Sequence, residues 1–258
     1  MPNPTTPAQY VLIMIDLAQE LGCERRALLA GTSLADTDIA AVGARVRDSD
    51  FQQLVINAFE LTGDPALGLK LGLRLNLSAH AVLGQAFMTC RDLRQVLELL
   101  LKYYHLLASQ LHLEYIEYGE EAVLYVDTAP EDIAPEFGYE LVYGAVINTL
   151  RGMLNDPDMT LHMELPYHKP AHAALYYEVL GPDVHFNCSR GRIVLPRASL
   201  ETELPSSNPA LRHLYEAECA RLLADLEGAD SVAEQTLRLL RKLEGQYPQM
   251  PQIANMLN

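Results

Sequence analysis

The chain has 258 residues, 49% of them hydrophobic and 21% charged, enough for one large globular domain or two smaller ones with a substantial core. Its formal net charge of −15 argues against binding of nucleic-acid phosphates by this chain as it stands, and no apolar run approaches the ~18 residues of a membrane helix. Met1 to Pro7 hold no basic residue and no small-residue cleavage site, so they do not read as a signal peptide, and the scattered cysteines Cys23, Cys90, Cys188 and Cys219 read as reduced thiols in a cytoplasm.

In chain order, Ala8 to Gly22 reads as a helix with Val11, Leu12, Ile15 and Ala18 on one face. Cys23–Leu29 and Asp36–Val42 read as shorter helices, and Asp48 or Ser49 as the cap of the next, which carries Phe51, Leu54, Val55, Ala58, Phe59 and Leu61. Asp64-Pro65 then opens a helical piece, with Asp as cap and Pro in the first helical position. Ser78 is expected to open a second, with Val82, Leu83, Ala86 and Phe87 at helical spacing. Asp92 opens a third, with Val96, Leu97, Leu100 and Leu101 before Tyr103-Tyr104. Gly68, Gly72 and Gly84 lie inside these patterns, where each costs ~1 kcal/mol relative to Ala, so backbones are expected to approach closely there.

The character changes after His105. Leu111–Tyr118 and Ala122–Asp127 are β-rich runs around Gly119-Glu120-Glu121, a hairpin. Pro135 to Leu154 is a helix, Thr160–Leu165 a strand ended by Pro166, and Ala171 to Leu180 a helix. His185–Asn187 and Gly191–Leu195 are short strands. The fold class is therefore α+β: a helical lead-in, then helices packed on a small, mostly antiparallel sheet. The tail returns to helix from Pro209 to Leu226 and again after Ser231, and Gln249 to Asn258 is the start of an amphipathic helix that stops without a cap. The domain reading follows: a sensing unit over 1–207 (lead-in to about 104, α+β core 105–207), linker and dimerisation helices over 208–245, and a fragment over 246–258.

The order Leu61-Thr62-Gly63-Asp64-Pro65, Gly68-Leu69, Leu71-Gly72, Leu83-Gly84, Ala86, Leu93 and Lys102-Tyr103 resembles the N-terminal sensor domain of AraC-type transcription regulators, in its arabinose-binding-like subgroup. A second block agrees: Leu165-Pro166-Tyr167, Tyr176-Tyr177, Leu180-Gly181-Pro182, Val184-His185-Phe186, Leu195-Pro196, Leu200, Leu204-Pro205 and Asn208-Pro209-Ala210-Leu211. Met250 to Asn258 is similar to the first helix of that family's helix-turn-helix domain. The resemblance implies a cytoplasmic ligand-sensing and homodimerising domain, truncated within the first helix-turn-helix. Its partners would be a small metabolite of unspecified identity and, only through the missing DNA-binding domain, DNA. The alternative is a ligand-free interaction module.

No residue pattern supports catalysis, a cofactor or a metal. His168 and His172 offer an H-x3-H pair, and His185 with Cys188 an H-x2-C pair, but Pro170 breaks the helical turn that would join the first two. No phosphate loop, nucleophile elbow or paired-carboxylate motif occurs. Seven of the thirteen tyrosines fall between Tyr103 and Tyr143, and Tyr139 and Tyr143 share a helix face. Because tyrosine joins an apolar wall to a hydroxyl, a ligand pocket is expected between the helix ending at Tyr103-Tyr104 and the helix of Tyr139 and Tyr143, floored by the hairpin. Its expected residues are Phe87, Tyr104, Phe137, Tyr139 and Tyr143, and the expected dimerisation stripe is Leu211, Leu214, Leu222 and Leu226.

Overall fold

The computed structural model describes residues 5–34, 39–41, 43–128 and 135–228. The helix expected over Asp36–Val42, the helix after Ser231 and the fragment over 246–258 lie wholly or partly outside these residues.

A short strand β1 (Thr5–Pro7) runs antiparallel to β2 (Arg45–Arg47), a pairing with no signal in the sequence pattern. Between them lie α1 (Ala8–Glu20) and α2 (Arg25–Leu28), and β2 leads into α3 (Asp48–Thr62) and α4 (Leu67–Gly72). Met14, Ile15, Leu54, Val55, Leu67 and Leu71 bury together as the first core. Asp48 does not cap α3. It is the first helical residue, and its carboxylate accepts from the hydroxyls of Thr6 (2.6 Å) and Ser109 (2.6 Å), tying β1 and the loop before the hairpin to the helix start. Ser78 is likewise not the cap: Asn76 Oδ1 accepts from Ser78 N (3.0 Å) and closes a 3₁₀ turn over Leu77–His80. Helix α5 (Ala81–Met88) begins only after Ala81 takes a φ of +48°. Asp92 does cap α6 (Leu93–Tyr103), accepting from Gln95 N at 2.9 Å.

The hairpin β3 (His112–Tyr118) and β4 (Glu121–Asp127) pairs Tyr118 with Glu121, leaving Gly119-Glu120 as the loop, with Gly119 at the positive φ such a loop requires. Further along come α7 (Pro135–Leu154), β5 (His162–Glu164), α8 (Ala173–Val179), β6 (Val184–His185), β7 (Gly191–Pro196) and α9 (Pro209–Gly228). The five-stranded sheet has the order β3-β4-β7-β5-β6, antiparallel except for the parallel pair β5–β6. Its register sends Leu113, Leu124, Val126, Ile193, Met163 and Val184 to one face, where they meet α6, α7 and α8 in a second core.

Helix α7 is the axis on which the two halves meet. A Cβ on Gly72 would stand 2.5 Å from the Leu141 carbonyl oxygen and 3.0 Å from Gly144 Cα, so the backbones of α4 and α7 cross at a pair of glycines. Gly84 is as tightly held, with the Leu77 carbonyl oxygen where its Cβ would be. A third core joins α5, α6 and the end of α7 to α9 through Phe87, Val96, Leu99, Met153 and Cys219. Asn208 caps α9, its Oδ1 accepting from Leu211 N at 3.2 Å, with Pro209 in the first helical position. Among the described residues, no helix is long and apolar enough to cross a membrane.

Candidate functional site

Where α6 and α7 lie over the inner sheet face they do not close completely. A cavity of about 160 Å³ remains, walled by Leu93, Val96, Leu97 and Leu100 of α6 and by Leu141, Val142, Ala145, Val146, Thr149 and Leu150 of α7. Leu113, Tyr115, Leu124, Ile193 and Leu195 of the sheet form its floor, and Tyr10, Leu75, His80 and Phe87 close the side toward α1 and α5. Among the described residues, no Asp, Glu, Lys or Arg lines it.

The few polar groups on this wall are mostly paired with one another. The Tyr10 hydroxyl and His80 Nδ1 are hydrogen bonded at 2.8 Å, with their rings edge to face. Burial pushes the His80 pKa down to about 4, so the imidazole is neutral at pH 7, and burial raises Tyr10 well above the ordinary tyrosine value. Tyr115 donates to Glu117 Oε1 at 2.9 Å; burial and then that carboxylate push its pKa up to about 12. Glu117 in turn holds Arg94 (2.6 Å) and Arg197 (2.9 Å). Thr149 is the exception: its Oγ1 is buried and has no hydrogen-bond partner.

The residues named from the sequence go to different places. Phe87 lines the cavity. Tyr104 packs with the second core beside His105, and Phe137 sits in the first core, edge-on to Phe59 at 5.9 Å. Tyr139 and Tyr143 do share a face of α7, but it turns toward Tyr167 and the sheet. There the Tyr143 hydroxyl donates to the Glu164 carbonyl at 2.7 Å. The cavity face of the same helix is the stripe 141, 142, 145, 146, 149 and 150, a helical repeat that is the legible signal.

Residues 22–204 match the arabinose-binding domain of AraC transcription regulators, N-terminal. The chain belongs to this family. It is 31% identical to the Ornithine utilization regulator of Pseudomonas aeruginosa over 98% of this chain and 75% of that one. It is 23% identical to an uncharacterised HTH-type transcriptional regulator of Mycobacterium tuberculosis, again over 98% of this chain and 75% of that one. The crystal structure of the transcriptional regulator CdpR from Pseudomonas aeruginosa shares the fold, with a TM-score of 0.56 at 15% identity over 95% of this chain and 74% of that one. These relatives are transcription regulators, not enzymes.

In this AraC-type domain the other polar clusters are largely paired within the chain, though Arg192 Nε is buried without a partner. Glu140, 1% exposed on α7, accepts from Leu69 N (3.1 Å) and from the Tyr176 hydroxyl and is paired with His172 Nε2 (2.6 Å). Tyr167 and Tyr176 are joined at 3.0 Å, so α4, α7 and α8 are bound through one carboxylate. His168 turns instead to Asn187, so the H-x3-H pair is split between two partners. On the outer sheet face, Arg190 is held by Asp127 (2.7 Å) and Glu114 (2.7 Å) over the Tyr125 ring, and Arg192 by Glu164. At the sheet edge, His162 and His185 share Asp183 Oδ1 at 3.1 and 2.7 Å, where the sequence alone gave no reason to pair them. Cys90 and Cys219 are buried, which pushes both thiols up to about 11 and leaves them unreactive.

Proposed function

We propose that this chain is the ligand-sensing and dimerisation part of an AraC-type regulator, working in the cytoplasm, and that its small-molecule effector occupies the cavity between α6, α7 and the inner sheet face. The single observation that carries the reading is that cavity: a concave, almost wholly apolar wall set where three cores meet fits a small, largely apolar molecule. Phe87, Leu93 and Val96 face the cavity and also belong to the core on which α9 packs. A ligand that fits one setting of α6 better than another therefore biases α9, and only such a difference in affinity shifts a conformational balance. Control of DNA belongs to residues beyond α9, and the exposed Leu211 and Leu214 of α9 are the natural start of a contact between two copies.

The test is mass spectrometry of small molecules released from the purified, denatured chain, followed by melting of the protein with the molecule found. A ligand at 100 times its Kd raises stability by about 2.7 kcal/mol. The cavity-filling change Ala145→Phe is expected to abolish that rise while circular dichroism stays native. A rise that survives Ala145→Phe places the ligand elsewhere. No released molecule and no melting shift with any metabolite leaves a ligand-free interaction module as the function.

A further inference from the structure

The outer edge of the five-stranded sheet carries a side-chain cluster that the cavity does not use. We propose that His162, Asp183 and His185 form a site for one divalent transition-metal ion of the zinc class. The strand ladder places them. Register pairs Met163 with Val184 and Glu164 with His185, and Met163 and Val184 are buried in the second core. Alternation along both strands therefore turns His162, Glu164 and His185 to the opposite face. Backbone bonds from Met163 N to the Asp183 carbonyl (2.9 Å) and from Leu165 N to the His185 carbonyl (2.8 Å) hold the two strands together at the cluster.

The donor atoms converge. His162 Nδ1 is 3.1 Å and His185 Nε2 2.7 Å from the same oxygen, Asp183 Oδ1, and the three lie within 4.8 Å of one another. A tetrahedral zinc ion with bonds of ~2.0–2.2 Å keeps its ligand atoms about 3.4 Å apart. That change is within reach of side chains that are one-third to one-half exposed. Glu164 supplies what a metal-ligating histidine ordinarily has, a carboxylate on its other nitrogen. Its Oε1 stands 3.1 Å from His162 Nε2 and is itself held by Arg192, so it orients the ring and is not a ligand. A neutral His162 that gives its Nε2 proton to Glu164 turns a bare Nδ1 lone pair toward Asp183 Oδ1. Two lone pairs face to face call for a cation between them. Two imidazole nitrogens and one carboxylate oxygen select a zinc-class ion over magnesium or calcium, which take oxygen donors. Cys188 is not in the set, because its Sγ lies against the His185 and Phe186 carbonyls. Three protein ligands leave the ion one position for water. The ion would tie β6, only two residues long, to β5 at the end of the sheet.

The experiment is titration of the full chain, freed of metal with EDTA and then exchanged into buffer, with zinc chloride against a colorimetric zinc indicator. One tightly held zinc per chain is expected, with a higher melting temperature in zinc than in EDTA. His162→Ala and His185→Ala should each remove the tight site and the melting shift, while circular dichroism stays native because both rings are part exposed. Glu164→Ala is expected to weaken zinc by about 10- to 100-fold. Cobalt(II) in place of zinc should give the visible bands of a tetrahedral nitrogen–oxygen site without thiolate charge transfer, and Cys188→Ser should leave them unchanged. No zinc held by the metal-free chain overturns the proposal and leaves the cluster as hydrogen bonds alone. Zinc that binds both histidine variants as it binds the parent, or a cobalt spectrum with thiolate charge transfer, overturns it as well. Zinc lost in both histidine variants but unchanged in Glu164→Ala supports the three ligands and overturns the orienting role of Glu164.

Discussion

His80 and His162 titrate in opposite directions, and the reason lies in what surrounds each ring. His80 is buried against Tyr10 with no carboxylate partner among the described residues, and burial lowers its pKa to about 4. Its unfolded value is about 6.5, so the unfolded chain binds the proton more tightly. The stability this group permits is complete above pH 6.5 and is lost as the pH falls toward 4, by roughly 3 kcal/mol when the titration is complete. For His162, burial works against the proton, but hydrogen bonds with Glu164 and Asp183 outweigh it and raise the pKa. Its contribution is present below about pH 6.5 and fades as the pH rises through the raised folded value. His162 is part exposed at the sheet edge, so salt screens this second effect. Urea midpoints at pH 5, 7 and 8.5 separate the two residues. His80→Gln should lose most of the decline between pH 7 and 5, and His162→Gln should lose a decline between pH 7 and 8.5. An unchanged pH 5 decline in His80→Gln would mean that this imidazole is already charged when folded.

At the scale of elements, the crossing of α4 and α7 is the contact that admits least change. Ala at position 72 would put its Cβ 2.5 Å from the Leu141 carbonyl oxygen and against Gly144, both of them backbone that no rotamer change can move. Gly72→Ala is expected to cost about 1–3 kcal/mol despite the better helix propensity of Ala, read as a lower urea midpoint. A neutral or stabilising result would mean that the helices stand further apart. The glycine costs marked Gly72 as a place of close approach but not α7 as its partner, whereas the helices and the hairpin were legible because their periodicity is local. Strands β1 and β2 were not, because three residues carry no period and their partner lies 40 positions away. The faces of α7 were hidden too. That helix is packed on several sides, with Phe137 in the first core, Tyr143 in the second and the 141–150 stripe shared between them along the cavity, so an aromatic repeat at 139 and 143 said which residues share a face but not what the face meets. The dyad of the expected pocket, α6 against α7 over the hairpin, is where the cavity lies, and of the five residues named for it only Phe87 lines the wall.

For the molecule as a whole, α9 carries two kinds of leucine, and the difference separates folding from assembly. Leu222 packs with Tyr215 and Leu223 on the core built from α5, α6 and α7, so its substitution acts on the fold. Leu211 and Leu214 are 40% and 62% exposed, and they face no described part of the chain well enough to be covered. Of the four leucines expected to form one stripe, Leu222 therefore lies against the core, Leu211 and Leu214 face outward, and Leu226 is half-buried. Leu222→Asp puts a carboxylate into an apolar contact and is expected to lower stability by about 2 kcal/mol or more, with a lower melting temperature at every protein concentration. The double change Leu211→Glu with Leu214→Glu should leave the melting temperature of the isolated chain within the ordinary range for surface substitutions, about ±0.5 kcal/mol. If α9 is the dimer contact, a two-fold axis brings the same patch of both copies together, so the double change repeats its charge across the interface and forces the chains apart. Light scattering at tens of micromolar protein should then fall from twice the monomer mass to the monomer mass in the double variant alone. A parent that is already a monomer, or a double variant that stays dimeric, moves the contact off these two leucines.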